Sequence, residues 1–563
     1  MPLRRLCLLL CLLALSCNHR PQVDLRLQIL PLENLSPDAT QSWEGRLAPF
    51  ILSTDLAGLP HLIAGSQPSD PRANRVLQGY YAVEGNRLAV HASLEDPRTL
   101  KTLQVIVREG SKSAGILPLL DQIARQIDSG AHSFPTRDPA VLQTFSEALS
   151  SDDPGVRLRL LQTATVQNPK FAPAFLALAE TRLAQGDRAG AADAAVQGSS
   201  ISTNPTERAE FEYLAATAHQ DLSARERATR ELVRLTPSDT QALRTLAGIH
   251  ALQRNFQDAA HDYREIARLE PGDPLTLNQL GYMLGYAHDI AGARATFDQY
   301  QALVGPSDTN PLDSTGEVYF YNGDFADAEK SFLKAGGGRE LLKAAEARLM
   351  TGDIPGADSL FEKYMASQQR PSELERAQWE FLTGRRKQAM ARTEKLIASP
   401  GDAGAQAAAQ LSFWRLQNGE RASATRLAAT ALAQAASPGT KNLAAICRFL
   451  TQVPVRPSPL PNINALALIL NQQFADAIPP LEALLADTNP DGDAQVRTLL
   501  AWAYLETGKP AQAKPLVDLY PIPLPSNEPL FVSLIFPRFL QVRAKVLGSD
   551  RDAELYQKLT AEP

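Results

Sequence analysis

From Thr240 to Ala335 large and small apolar residues recur in one order, three times over, at a period of about 34 residues. In the middle copy Leu277, Leu280, Gly281 and Leu284 share one face of a first helix, and Ala293, Phe297 and Tyr300 share one face of a second. Leu243, Leu246, Ala247, Ala259, Tyr263 and Ile266 repeat the pattern upstream, and Leu312, Gly316, Tyr319, Ala328, Phe332 and Ala335 repeat it downstream. Each helix therefore carries an apolar stripe that only a neighbouring helix can cover. Gly281 and Ala293 stand where two helices must cross closely, since a bulkier side chain would hold the backbones apart. Short polar turns, Arg254-Asn255, His288-Asp289 and Asn322-Gly323-Asp324, join the two helices of each copy with residues that tolerate left-handed backbone or cap the next helix. Pro169, Pro237 and Pro271 keep the same spacing or a multiple of it, each after a helix it cannot continue.

The order large, large, small, large in the first helix and small, large in the second resembles that of tetratricopeptide repeats. Leu243, Leu277 and Leu312 replace the tryptophan usual at the first large position. The resemblance implies a mainly α fold, an α-solenoid of antiparallel helix pairs, whose first helices line a long concave groove. Positions offset from the packing residues would face that groove. They are Arg244, then Asn278, Gln279, Tyr282 and Tyr286, then Asp313, Glu317 and Tyr321. Exposed tyrosines beside amides and charges suit the binding of a peptide or protein segment.

The array is predicted over 138–450, with further turns at Gln185-Gly186-Asp187, Gly352-Asp353, Gly384 and Asn418-Gly419. A proline-rich connector at 451–461 follows, then further repeats and capping helices over 462–563, with a second proline-rich stretch from Tyr520 to Pro529.

Residues 22–130 alternate differently. Leu25, Leu27 and Ile29 form the apolar face of a strand within Asp24–Leu30, and a helix is predicted over Gln41–Leu56. Strands follow at His61–Ala64, Arg75–Val83, Arg87–Leu94 and Lys101–Arg108, with a hairpin turn at Glu84-Gly85-Asn86, and a helix at Leu117–Ile127 closes the unit. This small α/β domain resembles the amino-terminal domain of TolB-like proteins in the segment Leu30–Ser36, in the hairpin Val76–Leu94 and in Leu120–Ile127. In Gly110-Ser111-Lys112-Ser113-Ala114-Gly115 the lysine is misplaced for a phosphate loop, and the segment reads as a turn.

Composition adds an address. Residues 1–16 read as a signal peptide, with Arg4 and Arg5 ahead of the apolar run Leu6–Leu15, which is too short to span a bilayer. Ala14-Leu15-Ser16-Cys17 resembles the lipobox of bacterial lipoproteins, which makes Cys17 the lipidation site and anchors the chain in the cell envelope. By the same resemblance Asn18 favours the periplasmic face of the outer membrane, with soluble export as the alternative. The formal charge of −6, from 56 basic and 62 acidic residues, offers no footprint for nucleic acid. Beyond the leader and Cys17 the remaining cysteine is Cys447, whose apolar neighbours make it a buried structural thiol.

No metal-ligand spacing joins the eight histidines, no nucleophile elbow occurs, and no cofactor is implied. The sequence therefore points to a non-catalytic protein-binding scaffold on a lipid anchor. The alternatives are a small-molecule sensor built on the α/β domain and an envelope hydrolase, the latter requiring clustered carboxylates or histidines in the folded chain.

Overall fold

The computed structural model describes residues 25–36, 42–59, 61–65, 72–453, 460–520 and 529–561. The leader, Cys17, Asn18 and most of both proline-rich stretches lie outside the described residues. The chain divides into two compact units, Met1–Ile249 and His250–Pro563.

In the first unit the alternation of residues 25–111 builds one mixed sheet. Its strands are β1 (Leu25–Ile29), β2 (Glu33–Asn34), β3 (Leu62–Gly65), β4 (Arg75–Glu84), β5 (Arg87–Asp96) and β6 (Lys101–Ser111). The order is β3-β1-β4-β5-β6, with β2 also paired to β4. Pairs β3–β1, β1–β4 and β2–β4 are parallel, and β4–β5–β6 are antiparallel. Two-residue β2 was not predicted: two residues carry too little alternation to register. Gly85, at φ +60, takes the first position of the two-residue β4–β5 turn, where a Cβ would be strained.

Leu27, Ile29, Leu77, Tyr81, Val90 and Ile106 are buried, as are Leu47 and Ile51 of helix α1 (Ser42–Asp55) and Leu120 and Ile123 of α2 (Leu117–Ile127). This core continues into the first helical pair, α3 (Pro139–Ser150) and α4 (Pro154–Gln167). There Phe145 meets Phe50 edge-on at 5.2 Å and Phe171 at 5.1 Å. The α/β part and the first helices thus share one core rather than meeting through a linker. Pairs α5 (Ala172–Ala184) with α6 (Arg188–Ile201) and α7 (Pro205–Ala218) with α8 (Leu222–Leu235) follow, then α9 (Thr240–Leu252), within which the two units divide.

The second unit is helical throughout its described residues. It opens with the last turn of α9 and with α10 (Phe256–Leu269), and its pairs are α11 (Pro274–Tyr286) with α12 (Ile290–Val304), α13 (Asn310–Tyr321) with α14 (Phe325–Ala335), α15 (Gly338–Met350) with α16 (Ile354–Ser367), α17 (Glu373–Leu382) with α18 (Arg386–Leu396), and α19 (Asp402–Gln417) with α20 (Arg421–Gln434). Then come α21 (Pro438–Leu450), α22 (Pro461–Leu470), α23 (Phe474–Asp487), α24 (Ala494–Glu506), α25 (Pro510–Ala513), α26 (Pro529–Leu547) and α27 (Asp550–Thr560). The small residues sit where close crossing requires them. A Cβ on Gly281 would stand 2.4 Å from the Phe297 ring, and one on Gly316 would stand 2.6 Å from Phe332. Ala259, Ala293 and Ala328 are fully buried.

The turns inside the pairs share one construction. A residue with positive φ ends the first helix and an Asp or Asn follows it, as at Gly186-Asp187, Gln220-Asp221, Arg254-Asn255, His288-Asp289, Gly323-Asp324 and Gly352-Asp353. The backbone N–H of the second residue donates back into the ended helix, Asp221 to Ala216 and Asp289 to Leu284, as in a Schellman motif. At all of these but Asp324 its side chain then accepts from the next helix, as Asp187 does from Gly190 N–H and Asp289 from Gly292 N–H.

The carboxy-terminal helices do more than cap an end. Tyr520 N–H donates to Tyr321 O at 3.1 Å, and its ring meets Phe325 at 5.1 Å. Arg551 lies over Phe325 and donates to Met350 O at 3.1 Å. Helix α26 packs on α17, α19 and α24. A Cβ on Gly384 would stand 2.9 Å from Lys558 O. Tyr520 and the helices α26 and α27 therefore pack on the turn edge of the pairs from α13 to α19, and glycine at Gly384 lets α27 approach.

Candidate functional site

The residues predicted to line a groove are placed as follows. Arg244 lies half-buried on α9, in the first unit. The other seven lie on α11 and α13, in the second. Gln279 is half-buried on α11. The expectation that the tyrosines are exposed needs correction. Tyr286 is 5% exposed and packs its ring on Phe256 at 5.1 Å and on Tyr321 at 5.6 Å. The Tyr282 hydroxyl donates to Glu317 Oε2 at 2.6 Å and stands 3.2 Å from Ser314 Oγ, which donates on to Asn278 Oδ1 at 3.0 Å. Positions offset from one pair's packing residues are thus covered by the next pair.

Sequence reasoning missed the group that organises this face. Lys343, on α15, donates to Asp313 Oδ1 and Oδ2 at 2.8 and 2.7 Å and to Glu317 Oε1 at 2.6 Å. Its side chain is 10% exposed, against 19% for Asp313 and 16% for Glu317. Three successive first helices are therefore tied by one nearly dry network running from Asn278 through Ser314, Tyr282 and Glu317 to Lys343 and Asp313. Burial pushes the Glu317 carboxyl up, against the opposing charge of Lys343. Burial alone would push the Lys343 ammonium down, but the charges of Glu317 and Asp313 outweigh it and hold it above its ordinary value. The Tyr282 hydroxyl is pushed well up by burial and by the neighbouring Glu317.

Tyr286 and Tyr321 also line a cavity of about 850 Å³, within the range of small-molecule and peptide sites. One wall comes from the ends of α9 and α11 and the turns after them, Arg254 and His288 included, and the other from residues 482–519. Leu252, Phe256, Leu485, Leu500 and Leu516 make it largely apolar. At its polar end Arg254 Nη1 stands 2.5 Å from Asp493 Oδ2, and Arg497 Nε stands 2.6 Å from Asp493 Oδ1. Arg497 also donates to Leu516 O at 3.0 Å. Arg254 Nη2 is buried with no hydrogen-bond partner. Burial holds the Arg254 guanidinium below its ordinary value, opposed by Asp493. A second cavity, of about 490 Å³, lies in the first unit and includes Asp55 and His132.

Asp55 stands out among the carboxyls. It is 1% exposed, no donor reaches either oxygen, and burial, then the charge of Asp121 and a hydrogen bond to it that only the protonated acid can donate, push it up to about 8. Cys447 is buried and free, and burial pushes its thiol up to about 12, so it is unreactive. Among the described residues no group of three or more His, Cys, Asp or Glu is placed to hold a metal ion, and no helix is long and apolar enough to cross a membrane.

Comparison with known proteins adds a repeat family. The tetratricopeptide repeat model matches residues 468–535, a segment later than the one where the periodicity is clearest. No curated protein matches the chain. Among solved structures, the chain is similar to the carboxy-terminal part of a TPR repeat-containing protein from Cytophaga hutchinsonii, at 13% identity and TM-score 0.34, over 41% of this chain and 94% of that one. It is similar to a tetratricopeptide repeat protein from Parabacteroides merdae, at 14% identity and TM-score 0.31, over 40% and 92%. Naa15/Naa10 bound to HypK-THB is similar over 75% of this chain and 68% of that one, at 12% identity and TM-score 0.32. With the helix pairs and their turns described above, the match over 468–535 makes the helical part of this chain a TPR-like array carrying a tetratricopeptide repeat.

Proposed function

We propose that the protein is a non-catalytic interaction scaffold, lipid-anchored through Cys17 at the periplasmic face of the outer membrane, which holds a peptide or protein segment against the first-helix face of α11 and α13. The observation that supports this reading most is the array itself. Its packing positions are consumed by the fold, while the polar Gln279 of first helix α11 stays half-buried. Surfaces of that kind recognise extended segments through amides and charges.

The geometry selects the test. Tyr282→Ala and Tyr286→Ala would break packing between repeats, so loss of binding would not separate contact from collapse. Gln279→Arg leaves the Lys343 network intact and places bulk and charge on the face. It is expected to lower capture of the partner identified by crosslinking in the native envelope by at least about tenfold. Capture at the wild-type level would remove this face from the account. Intact mass and membrane fractionation of Cys17→Ala test the anchor separately: a wild type without acyl mass, soluble on fractionation, would sink it.

A further inference from the structure

At six successive turns, from Gly186 to Gly352, the first helix ends on a residue with positive φ. Glycine serves at Gly186, Gly323 and Gly352, where a Cβ would be strained, whereas Gln220 (φ +57), Arg254 (φ +61) and His288 (φ +62) hold side chains there. Arg254 and His288 are consecutive in this register, and both line the 850 Å³ cavity. Along the same edge the last helix closes on Gly384, whereas beside Arg254 and His288 residues 482–519 stand off far enough to leave the cavity. Strained side chains that persist at one place in a repeat are held by the surrounding structure and concentrate at functional sites.

The cavity also has a direction. Its apolar walls end on two guanidinium groups, Arg254 and Arg497, that share the single carboxylate of Asp493, leaving one uncompensated positive charge at that end. Asp493 and Arg497 are fixed, 1% and 9% exposed. Arg254 keeps a buried N–H group without an acceptor, and such a donor gains most from a charged oxygen. The other ionisable groups facing the cavity are already engaged or stand at the mouth. The Tyr504 hydroxyl donates to Glu482, His288 Nδ1 is 2.7 Å from Asn322 Oδ1, and Asp518 is exposed. Acidic groups at the mouth disfavour a ligand with more than one negative charge.

We propose that this cavity is a binding site for a small monocarboxylic acid with an apolar body, its carboxylate accepting from the Arg254 guanidinium and its body lying against Leu485, Leu500 and Leu516. This site is independent of the scaffold reading. A free acid or the carboxylate at the end of an apolar peptide would present the same chemistry, and the test separates them.

Titration calorimetry on the full chain would compare decanoate with 1-decanol, the tripeptide Gly-Leu-Phe with its carboxy-terminal amide, and inorganic phosphate. Decanoate is expected to bind at least tenfold more tightly than decanol and to be indifferent to phosphate. Arg254→Gly, whose glycine suits the left-handed turn, is expected to weaken decanoate at least tenfold. Ala486→Trp, at an exposed position of the wall, is expected to block binding without entering the core. Discrimination between Gly-Leu-Phe and its amide, without decanoate binding, would support the carboxylate site and assign it to peptide ends. Acids that bind no better than their neutral partners, phosphate that competes equally, or Arg254→Gly and Ala486→Trp that bind as wild type would overturn the proposal. None of these results bears on crosslinking at Gln279, so the two readings fail separately.

Discussion

At the scale of residues, the second unit depends on charges removed from water in matched sets. Lys343 is held by two carboxylates from a different helix, so removing it strands Asp313 and Glu317 against each other. Lys343→Met is expected to cost about 3–5 kcal/mol at pH 7 by denaturant unfolding, with the loss shrinking as pH falls and the carboxylates take up protons. Asp55 behaves in the opposite sense. Its pKa is about 8 in the folded chain against an ordinary 3.8, so the fold favours its protonated form. That contribution is complete below about pH 4 and is lost as pH rises towards 8. Asp55→Asn should therefore be stabilising by about 2–4 kcal/mol at pH 8–9 and nearly neutral at pH 4, as thermal unfolding across pH would show. Neither feature was legible in the sequence. Lys343 is one of many helical lysines, and its partners lie 30 and 26 residues away. Tyr282 read as exposed because it is offset from its own pair's packing residues, but Glu317, 35 residues on, receives its hydroxyl.

At the scale of elements, period and turn chemistry were readable. Leu117–Ile127 is a helix to the residue, and the left-handed position followed by an Asp or Asn cap recurs with the apolar stripe. Both signals are local, and local signals survive in a single sequence. Closure of the turn edge by Tyr520, α26 and α27 was not readable, because Arg551 reaches Met350 across 201 residues and no periodicity links them. The glycines test that closure. Gly384 (φ +90) faces Lys558 O, whereas Gly419 (φ +78) has nothing within 4 Å of an added Cβ. Gly384→Ala is expected to cost about 2–4 kcal/mol and Gly419→Ala about 1 kcal/mol, the difference being the approach of the carboxy-terminal helix rather than backbone strain. Equal losses in chemical denaturation would deny that contact.

At the scale of the whole molecule, the second unit is closed by its own terminus. Ending the chain at Tyr520 removes the helices over Phe325, Phe413 and Met350 and is expected to lower the melting temperature of that unit by at least about 5 °C. The face proposed for a partner is narrower than the repeat pattern implied, because the tyrosines are packed and the charges paired, which leaves Gln279 as the probe position. The measurement that reaches the central claim most directly is photo-crosslinking in the native envelope from an amino-acid photoprobe at Gln279, with a probe at exposed Lys330, far along the chain on α14, as control. The scaffold account predicts one dominant protein adduct from position 279, absent from position 330 and recovered with the membrane fraction. The same weak, scattered adducts from both positions would contradict it.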